Sequence, residues 1–305
     1  MYYFFINPKS RSGSGLRIWN RLKAVLFSEN VDYREYILSR PGEAERLSRE
    51  ITSADPSATI VAVGGDGTVD EIVNGMENVS SVTLAVIPTG SANDFCRGLH
   101  ITASPETALL RVLHPSVVKR VDVGVLTDGR KMRRFIVSAG TGFDAEVCYR
   151  SSKSRFKPLL NRYGLGKMVY TAVAVKSLLN MQRPRLKIRI DRKDTKDIKN
   201  VYFAAFMNLP YEGGGYNFTP AADPSDGRLD LCAAYDMPRL KALCGMPLAL
   251  TGKHTGMSGI EISSGSIIEV RSSEPLCVHC DGEYFGYADR LRVRTLGVQL
   301  KVIVG

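Results

Sequence analysis

Val61-Ala62-Val63-Gly64-Gly65-Asp66-Gly67-Thr68-Val69-Asp70-Glu71 begins as a short apolar run, passes through three glycines and an aspartate, and continues with helical character. Glycine at positions 64, 65 and 67 leaves almost no side chain over the backbone. Phosphate oxygens can then approach bare N–H groups at a helix N-terminus, where the dipole favours anions. Asp66 cannot bind phosphate directly, because like charges repel. It makes sense if it holds a cation, or the water around one, against those phosphates. The stretch therefore predicts a nucleotide site with Mg2+. Its spacing fits neither Gly-x-Gly-x-x-Gly nor Gly-x-x-x-x-Gly-Lys-Ser/Thr. The plainer alternative is a tight strand-to-helix turn with an acidic cap.

On either side of this stretch the chain alternates strand and helix. Tyr2–Asn7, Asp32–Leu38, Thr59–Val63 and Thr83–Ile87 read as strands. Helical spacing appears at Leu16, Trp19, Leu22 and Leu26, and further helices are expected over Glu43–Ile51, from Val69, after Asn93 and from Pro105. This order predicts an α/β domain with a parallel sheet over residues 1–120. Near Arg120 the pattern changes. Val121–Thr127 and Lys131–Ala139 flank Asp128-Gly129, a hairpin signal, and strands follow at Arg185–Ile190, Val201–Met207, Leu229–Tyr235, Ile267–Arg271 and Cys277–His279. One apolar helix, roughly 165–179, interrupts them. Residues 121–297 thus predict a mainly antiparallel β-sandwich, with a last strand near 298–305 that can return to the first domain.

Two more polar, glycine-rich loops follow strands of the first domain. They are Asn7-Pro8-Lys9-Ser10-Arg11-Ser12-Gly13-Ser14-Gly15 and Pro88-Thr89-Gly90-Ser91-Ala92-Asn93-Asp94-Phe95. Ligands bind at the carboxyl edge of a parallel sheet, where such loops lie. Gly64-Gly65-Asp66-Gly67-Thr68 with Pro88–Phe95 resembles the bacterial diacylglycerol kinase family of soluble lipid kinases, relatives of sphingosine kinases. The resemblance continues, in the family's order, through Asn208–Tyr216, Asp223-Pro224-Ser225-Asp226-Gly227-Arg228-Leu229-Asp230 and Asp281-Gly282-Glu283.

That resemblance implies an N-terminal nucleotide domain, a C-terminal β-sandwich and an active site between them. It implies that Gly64, Gly65, Gly67 and Thr68 cradle ATP phosphates, with Asp66 on the Mg2+ shell. Asn7, Ser39 and Ser91 lie where the family contacts nucleotide, and Asp94 helps place metal and phosphate. Asp281 and Glu283 occupy the position of the general base, with the choice between them open. Asp223, Asp226 and Arg228 match a structural Mg2+ loop, in which Asp226 gives its side chain and the others backbone carbonyls. One departure is the pair Ser10-Arg11, extra residues ahead of the first loop's Ser-Gly. As bland alternatives, Asp281-Gly282 and Asp226-Gly227 are both common turn dipeptides.

Bulk properties narrow the classes. The chain has 305 residues, 44% hydrophobic and 24% charged, an ordinary globular composition. Met1–Pro8 lacks a basic n-region and reads as a strand rather than a signal peptide, and no apolar run approaches 18 residues. Six cysteines dispersed over the chain suit reduced thiols in a cytosol. Cys277-x-x-Cys280, with His279 between, has no second ligand pair and reads as buried strand cysteines. The net charge of +10 has an address: residues 150–200 carry 15 Lys/Arg and 3 Asp/Glu. Sparse aromatics disfavour nucleic acid. Lys153, Arg155, Lys157 and Arg162 beside Phe156, Leu159 and Leu160 suit an anionic membrane surface, with a solvated face as the bland alternative. The expected function is an ATP- and Mg2+-dependent lipid kinase, cytoplasmic and peripherally membrane-associated. NAD kinase, which shares Gly-Gly-Asp-Gly-Thr, and a non-catalytic lipid-binding protein of the same fold are the alternatives. Composition and motifs leave the lipid and the oligomeric state open.

Overall fold

Tyr2–Ile6 (β1), Thr59–Gly64 (β3) and Thr83–Pro88 (β4) are buried at nearly every position of the computed structural model. Strands of a sheet covered on both faces read in this way, as unbroken apolar runs. The structure describes residues 1–101, 103–152, 175 and 177–305. The chain divides into one unit of Met1–Val123 with Gly297–Gly305 and a second of Gly124–Leu296.

In the first unit β1 lies between Tyr33–Ile37 (β2) and β3, and β4 pairs with β3, all parallel. Ile6 stands opposite Val63, and Gly64 opposite Pro88, so three loops leave one edge at the same level. Two helices, Ser10–Gly13 (α1) and Gly15–Ser28 (α2), follow β1. The buried stripe of α2 is Ile18, Trp19, Leu22 and Leu26, whereas Leu16, expected on it, is exposed. Glu43–Ala54 (α3), Asp66–Gly75 (α4), Asp94–Gly98 (α5) and Pro105–Leu113 (α6) fill the expected helical positions. Ser104 caps α6 by accepting from the Thr107 N–H, with Pro105 in the first turn. Lys301 and Val302 pair parallel with Thr83 and Leu84 on the far side of β4.

The second unit is antiparallel and β-rich. Val118–Thr127 (β5) enters it and pairs with Met132–Phe135 (β6) across Asp128-Gly129. Ser138–Gly142 (β7), Leu186–Ile190 (β8), Lys196–Ile198 (β9), Val201–Met207 (β10), the small hairpin Tyr211–Glu212 (β11) and Tyr216–Asn217 (β12), Leu229–Tyr235 (β13), Ile260–Gly265 (β14), Ile267–Cys280 (β15) and Glu283–Ile303 (β16) follow. Their order runs β14-β13-β10-β7-β15-β16, with β8 on β15 and β9 on β8. Phe135, Phe206, Leu231, Ile268, Val278 and Val293 lie in its core.

Three departures from the sequence reading have physical causes. The strand expected over Lys131–Ala139 breaks after Phe135, because the amides of Ile136, Val137 and Ser138 donate to the Asp281 carboxylate. The two strands expected at Ile267–Arg271 and Cys277–His279 are one, with an irregular register between Arg271 and Leu276. Helices at Phe143–Ser152 (α7) and Arg239–Ala249 (α8) were not anticipated; α8 carries Pro247 inside it. Of the helix expected over 165–179, 165–174 and 176 lie outside the described residues, and 177–180 are helical.

Candidate active site

The three loops at the edge of the parallel sheet are tied together by their smallest residues. A Cβ on Gly65 would lie 2.9 Å from the Gly90 Cα, and one on Gly90 would lie 2.5 Å from the Gly65 Cα. Gly65 has φ −115, which any residue adopts. Close approach, rather than backbone conformation, is what requires glycine here. A Cβ on Gly64 would fall 2.4 Å from Thr68 Oγ1. The Asn93 side chain closes its own loop by accepting from the Gly90 N–H and donating to the Gly90 carbonyl, both at 3.0 Å.

Polar contacts complete the cluster. The Asn7 amide donates to Thr68 Oγ1 at 3.3 Å, and Ser10 Oγ lies 2.8 Å from Thr89 Oγ1. Ser10, the residue that departs from the family's first loop, thus joins the first loop to the third. Asp66 begins α4 and accepts the Asp94 and Phe95 N–H groups, both at 3.1 Å. Its carboxylate therefore caps α5, the relation expected between an acid and a helix N-terminus. Burial raises the Asp66 pKa, with the N–H donors opposing it. Asp94 is itself buried, its carboxylate 3.9 Å from the Arg97 guanidinium. Asp66 and Asp94 thus stand at the starts of two helices, α4 and α5.

The remaining nucleotide candidates lie apart from this cluster or at its rim. Ser91 and Gly67 are exposed. Ser39 donates both its N–H and its hydroxyl to the Glu43 carboxylate, at 2.6 and 2.8 Å, which lowers the Glu43 pKa. Glu71, at the end of the opening stretch, accepts from the Gly42 and Ala44 N–H groups at the start of α3. Asp70 is buried and accepts from Asn74.

In the second unit the Asp281-Gly282 pair is the turn of the β15–β16 hairpin, with Cys280 opposite Glu283. Both turn residues have positive φ, +47 and +81, as a two-residue primed turn demands. Asp281 also does more than turn the chain. Its carboxylate accepts three N–H groups, from Ile136 at 2.8 Å and from Val137 and Ser138 at 2.9 Å. Glu283 is exposed. Cys277 and Cys280 are free thiols, buried in the strand.

The candidate metal loop is held by its own side chains. Asp223 accepts from the Ser225 N–H and hydroxyl, and Asp226 from the Arg228 N–H at 2.9 Å. Arg228 reaches Ser264 through both its Nε and its terminal nitrogen. Sequence reasoning left out Asp230 of β13. Burial, and then the charge of Asp226, push its carboxyl up to about 6. The charge of Arg228 opposes that shift. The signal was its position four residues after Asp226 in the quoted motif.

These arrangements carry a family signature at both ends. Residues 1–126 match the diacylglycerol kinase catalytic domain, and residues 137–304 match the YegS C-terminal NAD kinase beta sandwich-like domain. The chain belongs to the diacylglycerol kinase family and is a kinase of the lipid-kinase class. Within it, the chain is 32% identical over 245 residues to a Chromohalobacter salexigens protein named "Probable lipid kinase YegS-like", covering 79% of this chain and 74% of that one. It is 26% identical over 280 residues to a Mycobacterium tuberculosis diacylglycerol kinase, covering 91% and 87%. A crystal structure of a Bacillus anthracis diacylglycerol kinase shares the fold, with TM-score 0.70 at 20% identity over 100% of this chain and 96% of that one. An Archaeoglobus fulgidus NAD kinase solved with ATP shares it more distantly, with TM-score 0.57 at 15% identity over 99% and 93%. The fold expected from sequence, a parallel α/β domain followed by an antiparallel β-rich one, is the fold found.

Proposed function

We propose that the chain transfers the γ-phosphoryl group of ATP to the hydroxyl of a membrane lipid, diacylglycerol or a related lipid alcohol, with Mg2+ as the metal. The observation that carries this reading is the loop cluster. Three βα loops of one sheet edge converge through the Gly65–Gly90 contact and the Asp66 cap on α5. In this reading the backbone of Gly64, Gly65, Gly67 and Thr68 faces the phosphates, and Asn7 and Ser91 flank the nucleotide. Ser39 is the weakest member, since its hydrogen-bonding groups already serve Glu43. Asp66 and Asp94 would hold Mg2+, directly or through water, and the Asp226 side chain with the backbone carbonyls of Asp223 and Arg228 a structural cation, with Asp230 beside them. Bound Mg2+ would neutralise charge on the transferring phosphoryl group, the main source of rate in this chemistry. Asp281 or Glu283 takes the proton of the attacking hydroxyl.

The membrane reading rests on sequence. Among the described residues no helix is long and apolar enough to cross a bilayer. Among the described residues of the 150–200 segment, four basic side chains are already in ion pairs: Arg150 with Glu146, Arg185 with Asp197, Arg189 with Glu269 and Lys196 with Glu261. Lys153, Arg155, Phe156, Lys157, Leu159, Leu160 and Arg162 lie outside the described residues and carry the proposal by composition alone. Each Lys or Arg near an anionic surface contributes about 1 kcal/mol.

The test is transfer of labelled phosphate from ATP to a panel of micellar lipids and to NAD. Lipid labelling is expected. Labelling of NAD alone would favour the NAD kinase reading, and labelling of neither would leave a binding protein. Neutralising Lys153, Arg155, Lys157 and Arg162 together should weaken activity on anionic vesicles and spare a short-chain soluble analogue. Equal loss on both would remove the membrane role.

A further inference from the structure

His279 was legible in the sequence only as the residue between two cysteines. In the structure it is 0% exposed and carries a contact on each ring nitrogen. Nδ1 accepts the Gly282 N–H at 3.2 Å. Nε2 lies 3.2 Å from Asp144 Oδ2, at the start of α7, and 3.2 Å from Glu212 Oε1, on β11. Both carboxylates are buried. Gly140 of β7 makes the room: a Cβ there would fall 2.0 Å from Asp144 Oδ2 and 2.6 Å from His279 Nε2. Asp144 accepts the Ala145 N–H at 2.7 Å with its other oxygen.

Two readings of this cluster compete, and the ring tautomer separates them. Asp144, Glu212 and His279 offer three ligand atoms within 4.8 Å of one another, as a divalent metal would need. A metal on Nε2 would require the ring's proton on Nδ1, where a ligating histidine normally donates it outward. That proton would point at the Gly282 N–H. The Gly282 N–H instead makes Nδ1 the acceptor, so the proton sits on Nε2 and faces the two carboxylates. Burial raises the Asp144 pKa.

We propose that His279 is a positioning residue for the phosphoryl-transfer reaction: Asp144 and Glu212 fix its tautomer, and its Nδ1 then holds the Gly282 N–H and the turn that carries Asp281 and Glu283. The inference rests on the kinase reading for its consequence, and on hydrogen bonds within one unit for its geometry. Asp281 fixes one end of the turn to the amides of 136–138, and His279 fixes its middle. With both in place, the direction in which Glu283 leaves the turn is set.

The amide substitutions split the two halves of the imidazole. His279→Gln places an amide nitrogen near the Nε2 position and removes the acceptor for Gly282. His279→Asn places a carbonyl oxygen near the Nδ1 position and leaves the carboxylates without their donor. The Gln variant should keep its Tm, lose about 10–100-fold in kcat at unchanged KM for ATP, and show faster hydrogen exchange at the Gly282 amide. The Asn variant should keep Gly282 protection while its Tm falls by several degrees. Wild-type kcat and Gly282 protection in the Gln variant would overturn the proposal. So would a stoichiometric divalent metal in the purified protein that the Gln variant loses. If the Asn variant fails to fold, the Gln variant and the exchange rates still decide. A wild type that labels no acceptor would sink the kinase reading, and Gly282 exchange would then report separately whether His279 holds the turn.

Discussion

Asp66 and Asp281 solve the same problem in different surroundings. Each aspartate fixes a neighbouring segment by accepting consecutive backbone N–H groups, two at the start of α5 and three at the break between β6 and β7. Around Asp66 the loops meet because glycines remove side chains from the contact. In the Asp281 turn itself glycine serves only to allow the bend: a Cβ on Gly282 would meet nothing within 4 Å. The first region is thus specified by space and the second by backbone angle. Substitutions that separate volume from conformation should act on them in opposite ways.

The largest effect is expected at Asp66. Asp66→Asn keeps one acceptor for the α5 amides and removes the charge that would hold Mg2+. Phosphoryl transfer should fall by roughly 10³-fold or more, about 4 kcal/mol, while the protein stays folded. Near-normal turnover in a folded variant would show that the carboxylate only caps α5.

The two carboxylates of the hairpin come next. At least one of Asp281→Asn and Glu283→Gln should bind ATP normally and lose about 10²–10⁴ in rate. Stability separates them. Asp281→Asn turns an amide N–H toward a donor and should cost about 1–3 kcal/mol, read by denaturant titration. Glu283→Gln, exposed, should leave stability unchanged. Wild-type rates in both would place the base elsewhere.

The glycines test the comparison itself. Gly90→Ala forces a methyl to within 2.5 Å of backbone and should cost about 1–3 kcal/mol together with activity. Gly282→Ala meets no atom and bears only the left-handed angle, about 1 kcal/mol. Equal costs would mean that volume and angle do not distinguish the regions.

The smallest effect is a pH dependence. The Asp230 carboxyl is raised to about 6 in the fold, so the native state binds its proton more tightly than the unfolded chain. Stability should therefore fall as pH rises from about 4 to about 6, by ~1 kcal/mol once solvent screening is allowed for. Asp230→Asn should remove the slope, and Mg2+ should flatten it if the loop binds the ion. A slope indifferent to both would detach Asp230 from the metal loop.

The α/β order was legible because buried parallel strands are written as unbroken apolar runs, separated by helices with one apolar face. Gly65 and Gly90 were legible as loop residues, though not as partners. The contacts that matter most in the second unit were hidden, because they join residues far apart in the chain. Asp281 takes amides 143–145 positions away, and His279 meets Asp144 135 positions away. Asp144 and Glu212 look like ordinary surface acids until the fold buries them. The sequence also suggested a nucleotide contact at Ser39, and no local pattern showed that Glu43 takes up its donors. Helix α8 escaped because Pro247 and scattered leucines blur its apolar face.

The strand Glu283–Ile303 belongs to the second unit as far as Leu296 and to the first from Gly297 onward. Its last residues supply the neighbour of β4, and Val304 and Gly305 exchange backbone hydrogen bonds with Ser116 and Val117. During synthesis on the ribosome, β1 to β4 emerge long before this neighbour exists. The outer edge of β4 is then an unpaired template for any passing strand until the stretch 297–303 has been made. The first unit therefore cannot mature in the order in which it is translated. Its sheet is completed only after the whole of the second unit has been translated.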